Sequence, residues 1–334
     1  MKKYTLLLLA TLCAFVSHAT SFVSNGINYN ITSATTPYTV EVAGAIYNIN
    51  SGEINIPATV TNDNINYSVT AVANGAFYFI YTATPITSII LPNTITSIGN
   101  TAFGFLKTLK TISLPNSLTT IGSEAFEFCT SLTDISIPNT VSKIDYRAFI
   151  GCNSLTSITI PSLITNISSN AFSNCTALSK IEIPGSVISI GESAFTNCSA
   201  LTTIVIPNSV TAIGYGAFSG CTSLSNVTIP NSVTSIGGAA FARCASLSNV
   251  TIPNSVTSIG NAAFSNTALT SVTLPTSIVS IENDTFASCD SLTSVIIPNS
   301  VSWIGDYAFA FCDRLNEIDM PNSVIHIVLF CLLT

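Results

Sequence analysis

Apolar and polar positions along the chain recur in blocks of 23. Counted from Leu201, apolar residues fall at offsets 0 (Leu201), 3 (Ile204), 5 (Ile206), 9 (Val210) and 12 (Ile213). They continue at 16 and 17 (Ala217, Phe218) and 20 (Cys221), with Pro207 at 6 and Gly214 at 13. Pro92, Pro115, Pro138, Pro161, Pro184, Pro207, Pro230 and Pro253 stand 23 apart; Pro275 follows after 22, then Pro298 and Pro321 after 23 each. Leu224–Gly237 and Leu247–Gly260 are the same fourteen letters, LSNVTIPNSVTSIG. Ile204–Ile206 alternates in and out, as a strand with one buried face must. Proline has no N–H and ends that strand at a corner. The glycine marks a tight turn or a close backbone approach. Asp145, Ser168 and Glu282 replace it in three units, so a positive φ is not required there.

One short strand per unit cannot bury its apolar face alone, so neighbouring units must stack. The L-x-x-L-x-L spacing and the unit length predict a repeat solenoid of leucine-rich-repeat type. Parallel strands would line one face, short strands or turns the other, with an N-terminal β cap. At the usual strand spacing of about 4.8 Å, eleven proline-marked coils make a rod roughly 50 Å long. Offset 17 is Phe in ten units: Phe103, Phe126, Phe149, Phe172, Phe195, Phe218, Phe241, Phe264, Phe286 and Phe309. This column is expected inside, each ring burying apolar area worth roughly 2–3 kcal/mol.

The ends depart from the pattern. Residues 1–19 read as a secretory signal peptide cleaved after Ala19: Lys2 and Lys3, an apolar centre from Leu6 to Val16, then Ser17-His18-Ala19. A lipoprotein reading would use Cys13, but Leu12 before it fits poorly. Residues 20–85 are Tyr-rich and read as short strands of a β-rich cap. Within them Pro57 and Phe77 mark a degenerate first coil, and Asn62–Asn64 a hairpin turn inserted in it. The solenoid runs over 86–323. In 324–334 the pattern collapses, with Leu332 where Phe belongs and Val328 where Gly belongs. That tail predicts an uncapped, truncated edge open to self-association.

Only 7% of the 334 residues are charged, against 47% apolar. Outside the leader no 18-residue apolar span exists, so no integral membrane span is predicted. The repeat explains the imbalance: a charged column would set like charges side by side about 4.8 Å apart. Ser, Thr and Asn columns can instead hydrogen-bond along the stack. The net charge of −7 becomes −9 without Lys2 and Lys3. Such a surface argues against nucleic acid as a partner.

Cys129, Cys152, Cys175, Cys198, Cys221, Cys244, Cys289 and Cys312 all occupy offset 20; Cys331 is out of frame. The unit holding Phe264 lacks the cysteine. A buried thiol column and occasional bridges between neighbours are both open readings, although in-register side chains about 4.8 Å apart suit a disulfide poorly. No C-x-x-C pair or tetrahedral set suggests zinc. Carboxylates gather late, at Glu282, Asp284, Asp290, Asp306, Asp313, Glu317 and Asp319. Asp290 and Asp313 share offset 21, which is a solvated turn or, less simply, a calcium position. No nucleophile–base pairing or phosphate loop appears, and His326 is the only histidine after the leader. No enzyme and no cofactor is predicted.

The outward strand face remains as a candidate site. At offset 4 it presents Ile90, Ser113, Ser136, Thr159, Glu182, Val205, Thr228, Thr251, Thr273, Ile296 and Asp319; at offset 2 it adds Lys180, Asn226, Asn249 and Glu317. Long, regular solenoid faces bind extended partners; the same residues are also ordinary strand formers facing water. Ile90, Val205 and Ile296 interrupt the polar column and are the better contact candidates.

The units LTTIVIPNSVTAIGYGAFSGCTS and LTSVIIPNSVSWIGDYAFAFCDR resemble the repeats of the BspA-like leucine-rich-repeat surface antigens, over about residues 86–323. The front segment is similar to the entry region of such proteins from Bacteroidetes-type bacteria. The resemblance implies a secreted or cell-surface, adhesin-like protein binding extracellular or host-surface proteins, with no catalytic residues. The alternative is a structural spacer or self-associating module without a specific ligand.

Overall fold

In a computed structural model the chain is described over residues 20–45, 52–78 and 85–327. Residues 1–19, where a signal peptide is expected, the tail from 328, and Cys13 and Cys331 lie outside the described residues. No helix occurs among the described residues. The chain winds as a β-solenoid of about 11 turns, a leucine-rich-repeat fold.

Each coil begins where alternation demands an extended segment. The strands Thr203–Val205, Asn226–Thr228 and Asn249–Thr251 pair in parallel, and each buries only its middle residue. After the proline corner a second, two-residue strand repeats at offsets 11 and 12. Its longest run joins Asn166–Ile167, Ser189–Ile190, Ala212–Ile213, Ser235–Ile236 and Ser258–Ile259. The third wall is a turn that is itself a ladder. Gly216, Phe218 and Gly220 N–H groups donate at 2.8 Å to Gly238, Ala240 and Ala242 carbonyls of the next coil.

That wall needs two left-handed residues per coil, at offsets 15 and 19. Glycine supplies them at Gly216 and Gly220 (φ 59° and 72°), but Arg147, Asn174, Tyr307 and Phe311 adopt the same conformation. A left-handed non-glycine costs about 1–2 kcal/mol; the coil-to-coil hydrogen bonds it aligns offset that cost. The frequent Asn or Gly just before the column cysteine is the sequence signal for offset 19.

Inside, Phe77 joins the ten column phenylalanines in one unbroken stack. Successive centroids lie 5.1–5.7 Å apart, with planes within 19° of parallel. These centroid separations exceed the spacing of about 4.8 Å between hydrogen-bonded strands. Hydroxyl columns stitch its outside by donating to carbonyls of the preceding coil, as Ser209 Oγ does to Val187 O (2.6 Å) and Thr234 Oγ1 to Thr211 O (3.2 Å).

The first coil carries an inserted antiparallel sheet. In chain order β1 is Ser21–Ser24, β2 Ile27–Ser33, β3 Thr39–Ala45, β4 Glu53–Asn55, β5 Thr59–Asn62 and β6 Ile65–Val72. β1–β2–β3 form a meander, and β5 and β6 a hairpin through Asp63 and Asn64, both left-handed. β4 and β6 then pair in parallel with Ser88–Ile90 and Ser97–Ile98, joining the sheet to the coils. Tyr29 and Tyr67 are buried in this segment against Phe22, at 5.7 Å each. Burial pushes the Tyr29 hydroxyl up to about 12.

Glycine at offset 13 is there for close approach. A Cβ on Gly214 would lie 2.7–2.8 Å from backbone atoms of Gly191, Glu192 and Ile190 in the preceding coil, and its φ is not left-handed. Where Ser168 and Glu282 bring a real Cβ to this point, the two-residue ladder breaks, between Lys143–Ile144 and Asn166–Ile167 and again between Ser258–Ile259 and Ser280–Ile281. Asp145 is accommodated with pairing intact. Gly185, by contrast, has open space around it. Gly214→Ala is therefore expected to lower stability by about 1–3 kcal/mol through overpacking, and Gly185→Ala to change it by less than about 1 kcal/mol. Urea unfolding of the two variants checks this; equal effects would contradict the close-approach assignment.

Candidate functional site

The strand face is built by the inward pull of offsets 3 and 5, which turns offsets 2 and 4 to solvent. Ile90, Ser113, Ser136, Thr159, Lys180, Glu182, Val205, Asn226, Thr228, Asn249, Thr251, Thr273, Ile296 and Asp319 are all exposed. They do not form one continuous sheet. The ladder runs in segments: β4 to Thr111–Ser113; Ser157–Thr159 with Lys180–Glu182; Thr203–Val205 to Asn249–Thr251; and Ser271–Thr273 with Ser294–Ile296. Ser136 and Asp319 correct the expectation, since 134–136 and 317–319 carry no strand. Around Ser136 the coil stands off from both neighbours. The flanking bonds, Thr133 N–H to Lys110 O and Thr156 N–H to Thr133 O, are each 3.4 Å, at the weak end for an amide bond.

The face is nearly neutral. Lys180 and Glu182 close on each other at 3.1 Å, both well exposed, so the pair cancels charge but contributes little stability. Val205 is 79% exposed and Ile296 61%, against 37% for Ile90. Val205 lies beside Thr228 and Ile296 beside Thr273 in register. Both are apolar steps in an otherwise hydroxyl-rich and amide-rich strip.

Behind this face stand the thiols. The eight column cysteines are free and buried. Each directs its Sγ at the carbonyl of the phenylalanine one coil earlier, as Cys221 does to Phe195 O and Cys244 to Phe218 O, both at 3.2 Å. Cysteine suits the column because it is small, apolar and still a weak donor. The unit of Phe264 lacks the cysteine, as expected. Thr267 stands at offset 20 instead, donating to Phe264 O of its own coil at 2.9 Å and touching Cys289 Sγ at 3.2 Å. Burial pushes the Cys129, Cys175 and Cys221 thiols up to about 12, and raises Cys152, Cys198 and Cys244 well above the usual thiol range.

Among the described residues no group of three or more His, Cys, Asp or Glu could hold a metal ion, and no helix is long and apolar enough to cross a membrane. The late carboxylates are dispersed: Glu282 accepts from Ser280 Oγ at 2.8 Å, and burial beside Asp306 raises the Asp284 carboxyl. Sequence reasoning passed over Tyr146 and Tyr215. Both are exposed at offset 14, where other coils carry Asn, Ser, Gly, Glu192 or Asp306.

Stacked strands, a phenylalanine spine and an open polar face define a leucine-rich-repeat solenoid. The chain belongs to the BspA-type leucine-rich repeat family: the family model, a BspA type leucine rich repeat region in 6 copies, matches residues 70–199, 119–248, 166–289 and 234–332. A leucine rich cell surface protein from Faecalibacterium prausnitzii is 33% identical, with 92% of this chain and 90% of that one covered and a TM-score of 0.67. A leucine-rich repeat protein from Bacteroides ovatus is 28% identical, with 92% and 90% covered and a TM-score of 0.75. The pneumococcal vaccine antigen PcpA shares the fold at 22% identity, with 93% and 84% covered and a TM-score of 0.63. Comparison with the curated proteins finds no match.

The buried thiols set a pH dependence. A thiol whose pKa rises from 9.0 to about 12 on folding holds its proton in the native state after the unfolded chain has lost it. Stability is therefore complete below pH 9 and declines as pH climbs from 9 toward 12. Denaturant midpoints should stay flat from pH 7 to 8.5 and fall above pH 9. The column cysteines should resist iodoacetamide at pH 8 until the protein unfolds, as read by peptide mass spectrometry. Rapid alkylation of the native protein at Cys198 or Cys221 would contradict this.

Proposed function

We propose that the protein is a secreted or cell-surface, adhesin-like binding module that recognises extracellular protein partners through its strand face. The observation that carries the reading is the exposure of Val205 and Ile296 in a neutral polar strip. Apolar side chains at such positions gain most from burial by a partner, and the surrounding Thr and Asn side chains offer donors and acceptors without a charge to desolvate. Family membership and the likeness to a cell-surface protein support a surface location. A binding role, rather than catalysis, accords with a family of repeat proteins.

The test is capture of extracellular matrix proteins on immobilised protein, with light scattering on the same sample. Saturable binding should fall at least about tenfold in a Val205→Asp, Ile296→Asp double variant whose circular dichroism and unfolding midpoint are unchanged. Binding indifferent to both substitutions would refute the face assignment. Concentration-dependent assembly with no captured protein would favour the structural, self-associating alternative.

A further inference from the structure

A concave feature lies on the wall of the two-residue strands, away from the strand face. It is a cleft of about 470 Å³ lined by Tyr215, Gly238, Ser258, Asn261, Ser280 and Glu282, among others. Its origin is local. The coil from Leu269 carries Glu282 where glycine would allow close approach. The ladder accordingly stops at Ser258–Ile259 and restarts at Ser280–Ile281, leaving an open seam.

The walls differ in chemistry. At one end the Tyr215 ring is 59% exposed. It rests on Gly238, where a Cβ would come within 3.1 Å of its Cδ2, so the missing side chain is what lets the ring lie there. At the other end Ser280 Oγ fixes the Glu282 carboxylate at 2.8 Å. Between them the lining comprises Gly238, Gly260, Ile236 and Ile259 with the polar Asn261 and Ser258. The coils of Tyr215 and Glu282 are three apart, at phenylalanine spacings of 5.4, 5.4 and 5.7 Å. No Lys or Arg lines the cleft, which disfavours an anion. The separation of ring and carboxylate disfavours one small cation held by both.

An elongated cleft with one flat aromatic face, several neutral hydrogen-bonding groups and a carboxylate acceptor matches a neutral polyhydroxylated chain. Such a chain has apolar C–H faces to lay on a ring and hydroxyls that donate to oxygen acceptors. We propose that this cleft binds a short neutral oligosaccharide, with one pyranose ring stacked on Tyr215 and a hydroxyl of a later unit donating to Glu282.

Trp303, the only tryptophan, pairs in register with Ser280 and so sits at the cleft's edge as a reporter. Maltotriose, cellotriose and triacetylchitotriose are titrated while its fluorescence is followed, with calorimetry on the same samples to register binding that leaves the fluorescence unmoved. At least one trisaccharide should bind saturably by the millimolar range. Tyr215→Asn, which installs the residue found at Asn261 in the same offset, and Glu282→Gln should each weaken it about tenfold or more, with the unfolding midpoint retained. Val205→Asp should leave saccharide affinity unchanged, because the strand face is a separate surface. Failure of all three sugars to bind, or affinity indifferent to both cleft variants, would overturn the proposal. Protein capture through the strand face is read independently and stands or falls by itself.

Discussion

Each coil must set its phenylalanine ring on the ring of the coil before it. Strand pairing on the two outer walls breaks at several seams, yet the spine from Phe77 to Phe309 passes through all of them. Even across the shortened coil Phe264 and Phe286 keep 5.7 Å and 4°. The turn-wall bonds Phe264 N–H to Thr285 O and Asn266 N–H to Ala287 O persist there as well, at 2.9 and 2.8 Å. Apolar burial is non-directional and tolerates small shifts, whereas ladder hydrogen bonds lapse with small separations. The interior therefore holds the stack together, and the edges open where local sequence demands.

The same translation rule governs the rest of the composition. A side chain placed in one coil meets its own kind in the next, so charges are few and several are paired with an opposite partner. Arg147 reaches back one coil to Glu124 at 3.2 Å, and Lys143 meets Asp145 at 2.7 Å. Elsewhere hydroxyls take over, because a hydroxyl can donate to a carbonyl of the neighbouring coil however often the pattern repeats. Cysteine solves the interior version of that problem beside eight of the phenylalanine carbonyls.

The architecture was readable because every coil states it again. Periodic Pro, Phe and Cys located corner, spine and thiol column, and strict alternation located the outward strand residues. What escaped were features that depend on neighbours. The left-handed residues at offset 15 include Arg147 and Tyr307 as well as Gly216, so residue type conceals them, and at offset 19 the Asn and Gly signal is broken by residues such as Phe311. Ladder breaks depend on how a Cβ at Ser168 or Glu282 meets the coil beneath. The unit of Phe264 lacks the cysteine, and only the contact with Cys289 shows that Thr267 neighbours the thiol column there. Departures from the repeat, rather than the repeat, mark the places where the surface becomes distinctive: Val205 and Ile296 on the strand face, Tyr215 and Glu282 at the seam.

The spine is tested most directly by removing one ring from its middle. Phe218 is fully buried between Phe195 and Phe241, at 5.4 Å from each. Urea unfolding of Phe218→Ala should show a loss of about 3–5 kcal/mol relative to the parent. A variant as stable as the parent would contradict the claim that the stacked rings hold the coils together.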